Sequence, residues 1–124
     1  MIPIPGNRIL TADGEYQFVD EAGRPYFYTG KECLVEVDVT APSETEQPEG
    51  EEGVYGSFDG ASVELGYQGE SGRFVPYRDG LGALSTTEST GWRVAAPLTA
   101  VIVIKVTGAG ENTRLKASCV AVKP

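Results

Sequence analysis

The sequence predicts an all-β fold, either an antiparallel β-sandwich or a jelly-roll-like single domain. Two observations lead to this prediction. First, the stretch from Val101 to Val122 has two runs rich in β-branched residues around a Gly, Glu and Asn break, which is the pattern of a β-hairpin. Second, short strand-like runs alternate with turn residues about every 8–12 positions. At 124 residues, the chain has the length of one domain.

The clearest individual strand is Glu32–Thr40, where apolar and polar residues alternate. Glu36 and Asp38 lie on one face of this run. The apolar members share the other face: Cys33, Val35, Val37 and Val39. A period of two indicates a strand with one face in the core and one face in water.

Most of the remaining strands are shorter, and Arg78–Gly80 is expected to be a turn between two of them. Val101–Ile104 is apolar on both faces, which predicts a central strand that is covered on both sides, in the core or at a subunit interface. The other expected strands are Arg8–Thr11, Tyr16–Val19, Tyr26–Tyr28, Ser62–Gln68, Arg73–Tyr77, Leu81–Thr86, Trp92–Ala96 and 98–107.

Residues 1–7 are expected to form an extended N-terminal arm, and residues 8–124 a single β-sandwich domain. Pro3 and Pro5 alternate with Ile2 and Ile4, and prolines at such positions suit polyproline II or a sheet edge. The two isoleucines need an apolar partner. That partner is either the arm's own domain or a neighbouring subunit, and the sequence leaves both open.

The net charge of −8 argues against binding to nucleic acid or to an anionic membrane surface. Much of the acid lies in the loop 43–53, from Ser43 to Gly53. This loop could hold a cation or dock a basic partner, but a solvated, self-repelling loop is favoured because Asp-x-Asp spacing is absent. No apolar run approaches bilayer length, and the N-terminus lacks the pattern of a signal peptide.

The sequence contains few residues or motifs that could carry catalysis, and the chain is expected not to be an enzyme. The absence of histidine excludes Ser-His, Cys-His and His-ligated metal chemistry. No phosphate-binding glycine motif follows a strand. The eighteen Asp and Glu residues leave acid-pair chemistry formally open, although an acidic surface explains them more simply. We expect no catalytic residue, no cofactor and no metal site.

Two cysteines, Cys33 and Cys119, each fall within an expected strand. They could face each other as a disulfide if the geometry permits. The favoured interpretation is that both are small buried residues in a protein that folds in a reducing cytoplasm.

The aromatic residues allow two interpretations. If they were exposed on a sheet face, they could stack on sugar rings. Core packing is favoured instead, most clearly for Trp92. The set comprises Tyr26, Phe27, Tyr28, Tyr67, Phe74, Tyr77 and Trp92.

From about Ser62 onward, the chain resembles a known class of protein. The residues that carry the resemblance are the strand end Leu65-Gly66-Tyr67 and the runs Gly72–Gly80, Gly91–Pro97 and Val101–Ala109. Their order of strands, aromatics and turn glycines is similar to that of small β-sandwich structural proteins of tailed bacteriophages and prophages. These include head decoration (cement) proteins and other virion accessory proteins. The resemblance covers about the C-terminal half of the chain.

The resemblance implies a capsid decoration protein on the exterior of the virion, assembled in the bacterial host cytoplasm. Its partner would be the major capsid protein or another virion protein, with self-association as a trimer, and its role would be to stabilise the head. Whether it binds capsid, tail or portal is left open. The arm would be the natural lattice contact, so the candidate interaction residues are Ile2, Pro3, Ile4 and Pro5. The alternative is a carbohydrate- or cell-surface-binding module of a phage fibre or appendage.

Overall fold

The computed structural model describes residues 2–4, 9–19, 27–28, 32–40, 56–69, 71–79, 82–95 and 100–121. Within these ranges the chain forms strands and turns and contains no helix. The strands are β1 (Ile2–Ile4), β2 (Gly14–Phe18), β3 (Phe27–Tyr28), β4 (Glu32–Val39), β5 (Ser62–Gln68), β6 (Phe74–Pro76), β7 (Arg78–Asp79), β8 (Gly82–Ala83), β9 (Ser85–Thr86), β10 (Thr90–Ala95), β11 (Ala100–Thr107) and β12 (Leu115–Ala121).

Two sheets form the layers of a sandwich-like domain, which confirms the predicted all-β fold. The large sheet has the order β1-β2-β11-β5-β6, with β3 also beside β11 and β9 also beside β5. The small sheet has the order β10-β4-β12, and β7 pairs with β8 as a separate hairpin. Among the described strands, β1 and β2 pair in parallel and the other pairs are antiparallel, so the sheets are not purely antiparallel.

The core lies between the two sheets. From the large sheet, alternate residues of β2, β5 and β11 face inward, and register places Ile104 between Tyr16 and Leu65. From the small sheet, the alternation predicted for Glu32–Thr40 is confirmed: Cys33, Val35 and Val37 are buried while Glu36 and Asp38 are exposed. The period of two thus decides which face of each strand enters the core.

The central strand β11 is buried on both faces within this one chain. Ile102 and Ile104 face the core, and Val103 on the opposite face is also 0 % exposed. Val103 is in register with Gly66, and a Cβ on Gly66 would lie 2.5 Å from the Phe74 ring. The Phe74 ring therefore lies over this part of the outer face, so burial of β11 needs no neighbouring subunit.

The predicted hairpin between Val101 and Val122 is wrong. Both of its strands exist, but β11 belongs to the large sheet and β12 to the small sheet. β11 is already paired with β2 and β3 on one side and with β5 on the other, so no edge is left for β12. The chain between them is an arch, residues 108–114, which crosses from one layer to the other.

Two carboxylates hold this arch. Asp13 Oδ1 accepts a hydrogen bond from the Ala109 N–H at 2.7 Å, and Asp59 Oδ2 accepts one from the Asn112 N–H at 2.8 Å. Asp59 has φ 43°, a left-handed conformation that Asp tolerates better than most residues. The arch thus takes its shape from contacts with distant loops.

Two shorter elements also differ from prediction. Leu10 forms only an isolated bridge with Leu115, where the strand Arg8–Thr11 was expected, and Arg8 lies outside the described residues. Arg78 and Asp79, expected in a turn, form β7 and pair with Ala83 and Gly82.

Of the expected arm, residues 1–7, the structure describes Ile2–Ile4, which form the extended strand β1 on their own domain, one of the two partners that the sequence left open. Ile2 and Ile4 of β1 are in register with Tyr16 and Phe18, and Ile4 is only 2 % exposed. Pro3 is exposed on the opposite face. Pro5 falls outside the described residues, as does the acidic loop 43–53.

Candidate functional site

The backbone of Leu65 forms hydrogen bonds with two different segments, and these segments make up one wall of a cleft. The Leu65 carbonyl accepts from the Tyr77 N–H at 3.0 Å, whereas the Leu65 N–H donates to the Leu84 carbonyl at 2.9 Å. The Leu84 N–H in turn donates to the Tyr77 carbonyl at 3.0 Å. These three bonds let the β7–β8 hairpin project from the sheet while Tyr77 and Leu84 stay packed against the core.

Tyr77 connects the two sheets at this point. Its ring meets Tyr67 edge to face, with the ring centroids 5.3 Å apart, and its hydroxyl donates to the Ala95 carbonyl at 3.2 Å. Tyr67 belongs to the large sheet, whereas Ala95 belongs to β10 of the small sheet. Burial raises the pKa of Tyr77 well above its usual value, and the nearby Cys33, Tyr67 and Cys119 act in the same direction. The phenol therefore remains a hydrogen-bond donor at neutral pH.

Trp92 forms the facing wall. It lies on the inner side of β10, in register with Val35, and it is half-buried against the core. The inward direction predicted for Trp92 is correct, but its ring also borders solvent. The cleft has a volume of about 470 Å³ and is lined by Tyr77, Arg78, Leu84, Trp92, Arg93 and Val94, among others.

Two arginines lie at the rim of this cleft, on a chain whose net charge is −8. Arg93 is tied to Glu32, whose Oε2 lies 2.7 Å from Nε and 2.6 Å from Nη2. The two side chains are 62 % and 52 % exposed, so this ion pair orients the guanidinium more than it stabilises the fold. Arg78 is exposed. The cleft therefore combines aromatic surface with positively charged donors.

A second, smaller depression lies on the outer face of the small sheet, with a volume of about 340 Å³. Its floor contains Glu36, Asp38, Lys116 and Ser118. A hydrogen bond from the Ser89 hydroxyl is the main reason that the pKa of Asp38 is lowered; burial acts against it. The depression is charged, and Lys116 also helps to lower the pKa of Asp38.

The two cysteines lie next to each other on the inner face of the small sheet as free thiols. Cys119 of β12 is in register with Val35, and Cys33 of β4 is in register with Ala121. The two thiols are thus diagonal neighbours on one face of adjacent strands. Cys33 is fully buried, whereas Cys119 is half-buried.

Of the candidate interaction residues of the arm, the three that the structure describes are not part of this cleft. Ile4 belongs to the core, Ile2 packs against it, and Pro3 is the exposed member of β1. Among the aromatics, Tyr67, Tyr77 and Trp92 come together, while Phe74 covers the outer face of the large sheet beside Lys105, whose Nζ is 5.7 Å from its ring centroid. Tyr26 is outside the described residues, and Phe27 and Tyr28 are described only as the strand β3.

Sequence reasoning missed Arg78 and Leu84 as neighbours of Trp92. Nothing in their local pattern marks them, because the β7–β8 hairpin brings them to the cleft through tertiary pairing. Within the described ranges, Cys, Asp and Glu side chains form no group of three or more that could hold a metal ion, and no helix is long and apolar enough to cross a membrane. Comparison with family models, curated proteins and solved structures finds no match for this chain.

Proposed function

We propose that this chain is a non-enzymatic structural protein of a tailed-bacteriophage virion, a decoration protein that binds the exterior of the assembled head. One observation carries the choice between assembly and sugar binding. The described aromatic rings do not form a row across a sheet face, since Tyr16, Phe18 and Tyr67 point between the sheets. A sandwich whose large side chains serve its own packing suits a structural role.

The contact surface in this proposal is the edge of the large sheet at β1. Three residues in parallel pairing attach β1 to β2, and Pro3 is exposed there. Among the described strands, β1 is the last of the large sheet, and a sheet edge can receive an extended segment of a partner by strand addition. The acidic net charge suits a chain that stays dispersed until the lattice offers a binding site.

The test is cosedimentation with empty heads assembled from the major capsid protein of the same genome. Deleting residues 1–7 would also remove the buried Ile4, so Pro3→Glu is the cleaner variant. We expect it to keep its fold and lose most of its head occupancy. Ala83→Glu, an exposed change on the β7–β8 hairpin, is the matched control and should bind normally. Full occupancy by Pro3→Glu would contradict the arm contact, and no binding by the unaltered chain would contradict the function.

Self-association as a trimer is part of the same proposal. Size-exclusion chromatography with light scattering, before and after release from heads, measures it directly. A monomer in both states would contradict this part while leaving head binding standing.

The second candidate function, carbohydrate binding, is favoured by one specific feature, the cleft between Tyr77 and Trp92. An indole face packs against the C–H face of a sugar ring, and guanidinium groups donate to its hydroxyl or carboxylate oxygens. Trp92 is the only tryptophan in the sequence, so its fluorescence reports on this cleft alone. Titration with neutral and acidic oligosaccharides should shift the emission, and Arg78→Ala should weaken the response. An unchanged spectrum at saturating sugar would exclude this function.

A further inference from the structure

The outer strand of the small sheet, β10, leaves one side of its backbone open. Among the described strands, β10 pairs with β4 on one side and with no strand on the other. In an antiparallel sheet, the N–H and C=O of a residue point to the same side, and this side alternates along the strand. The positions at which β10 bonds to β4 therefore decide which of its residues point to the free edge.

The register of the small sheet gives these positions. Thr40, directly after β4, donates its N–H to the Arg114 carbonyl on the β12 side at 3.3 Å. By alternation, the odd-numbered residues of β4 bond toward β10, where they lie opposite Thr90, Trp92 and Val94. The backbone groups of these three residues are thus used within the sheet.

The other residues of β10 that pair with β4 direct their backbone groups to the free edge: Gly91, Arg93 and Ala95. A separate contact agrees with this assignment, because the Ala95 carbonyl accepts the hydrogen bond from the Tyr77 hydroxyl at 3.2 Å. The backbone groups of Gly91 and Arg93 have no partner among the described residues. These two residues are two positions apart, which is the spacing at which an added antiparallel strand forms its hydrogen bonds.

The free edge of β10 opens into the cleft. Gly91–Ala95 lines one side of the cleft, and Tyr77, Arg78 and Leu84 line the other. At about 3.3 Å per residue, the edge from Gly91 to Ala95 is about 13 Å long and matches an extended segment of about five residues. The cleft therefore offers both backbone partners and side-chain contacts to such a segment.

The side chains of the cleft indicate what the segment carries. Alternate residues of an added strand point to opposite faces of the sheet. Those on the inner face meet the half-buried Trp92, which favours apolar residues. Those on the outer face lie beside Arg93, where Glu32 Oε2 contacts Nε and Nη2 and leaves Nη1 for a second acceptor. Arg78 adds a second exposed guanidinium, and on a chain of net charge −8 this favours an acidic segment here over other surfaces.

We propose that the cleft binds an extended acidic segment of a partner protein, which adds antiparallel to β10 as a fourth strand of the small sheet. Gly91 and Arg93 bond to its backbone, its apolar side chains contact Trp92, and its carboxylates accept from the arginines. The β1 edge belongs to the other sheet, so this binding does not rest on the proposed head contact. A sugar could contact the same rings, but it has no peptide backbone to pair with the edge.

The probe is the acetylated and amidated peptide Ser-Val-Glu-Val-Glu-Val-Ser, which alternates apolar and acidic residues. It is titrated into the unaltered chain while the emission of Trp92, the only tryptophan, is followed. We expect a saturable shift, and replacing both glutamates of the peptide by lysine should weaken binding by about tenfold or more. No saturable shift at millimolar peptide, or equal affinity for the lysine peptide, would overturn the proposal.

N-methylated peptides test the pairing without altering the protein. In an antiparallel addition, the peptide residues that bond to Gly91 and Arg93 share their outer face, so these are the two glutamates. N-methyl groups on both glutamates should therefore abolish binding, whereas N-methyl groups on two of the valines should leave it within about threefold. Equal effects of the two modifications would show that the segment does not bind as a strand.

Hydrogen exchange of the unaltered chain locates the binding. The amides of Gly91 and Arg93 should exchange more slowly at saturating peptide, because both become donors to the added strand. Unchanged exchange at both positions would overturn the proposal. An emission shift with acidic oligosaccharides and none with the peptide would also overturn it and assign the cleft to a sugar.

Charge-removing variants test the two guanidinium groups. Arg78→Gln and Arg93→Gln should each weaken peptide binding by about threefold to tenfold. Arg73→Gln removes the same charge from an exposed arginine outside the cleft, and it should bind as the unaltered chain does. Equal affinities of all three variants would contradict the role of the cleft arginines. The peptide measurements on the unaltered chain do not depend on these variants.

Discussion

The large and small sheets differ in how many of their faces the chain covers. β11, at the centre of the large sheet, is buried on the core side at Ile104 and on the outer side at Val103. β4, at the centre of the small sheet, is buried on its core side only, and its outer side presents Glu36 and Asp38 to water. The difference shows that one chain can cover the centre of one sheet on both faces and leave the outer face of the other sheet open to water. The small sheet carries the Trp92 wall of the cleft and both cysteines.

The largest expected effect comes from shortening a buried side chain of β11, the strand that is covered on both faces. Ile104→Ala should lower the free energy of unfolding by about 2–5 kcal/mol, since it opens a cavity in packing that cannot collapse. Leu34→Ala, a half-buried change on the outer side of β4, is the control and should cost less than about 1 kcal/mol. Urea unfolding measures both. Equal losses would mean that the two sheets do not differ in coverage.

A pair of glycines compares the two outer faces directly. A Cβ on Gly66 would overlap the Phe74 ring and the Val75 carbonyl, whereas a Cβ on Gly91 would meet its nearest atom, in Glu36, at an ordinary 3.5 Å. Gly66→Ala should therefore destabilise the fold by about 1–3 kcal/mol. Gly91→Ala should be neutral or stabilise by up to about 1 kcal/mol, because alanine loses less backbone entropy. Thermal unfolding of both variants is the measurement. Gly66→Ala that is as stable as Gly91→Ala would show that Phe74 is free to move aside.

The arch between the sheets should respond more weakly. Asp59→Ala removes the acceptor for the Asn112 N–H and places alanine at a positive φ, which together should cost about 1–2 kcal/mol. Asp59→Asn keeps an oxygen acceptor and a residue that tolerates this conformation, so it should recover at least half of the loss. Hydrogen exchange of the Asn112 amide follows the same bond. If exchange there is unchanged in Asp59→Ala, the carboxylate does not hold the arch.

The smallest effect concerns a single carboxyl group on the open face of the small sheet. Ser89→Ala should raise the pKa of Asp38 toward its usual value, because the main group that lowers it is lost. A carboxyl whose folded pKa is lowered stabilises the fold above its unfolded pKa, and this contribution disappears as the pH falls through the folded pKa. The difference in stability between the two proteins should therefore be present at neutral pH and disappear as the pH falls through the lowered pKa of Asp38.

Carbon-detected NMR titration of the Asp38 carboxyl group measures this shift. Thr87→Ala, at an exposed neighbouring position, is the control and should leave the titration unchanged. An identical titration curve for Ser89→Ala would mean that the Ser89 hydroxyl points elsewhere in solution.

The sequence predicted what local periodicity determines. The fold class, the bounds of β5 and the faces of β4 followed from alternation, and so did the inward direction of Trp92. It did not predict which strands become neighbours. The hairpin expected from Val101 to Val122 failed because pairing depends on which edges distant strands have already filled.

Two signals in the sequence could have corrected this error. A strand that is apolar on both faces belongs at the centre of a sheet and needs partners on both edges. The connection 108–114 is also longer than most hairpin loops, which have 2–5 residues. The cleft could not be foreseen, because Tyr77, Leu84 and Trp92 meet through the hydrogen bonds around Leu65 rather than through any spacing.

The position of β11 in the chain has a consequence for folding. β2 and β5 never touch each other in the large sheet; β11 lies between them and must be present before either has its main partner. The hydrogen bond between Asp13 and Ala109 likewise joins residues that are 96 positions apart in the sequence. Such non-local pairing slows folding, because the chain loses the entropy of closing the loop before the favourable contacts form. A ribosome-bound chain that stops short of residue 100 would therefore present two unpaired strand edges, the state most prone to aggregation.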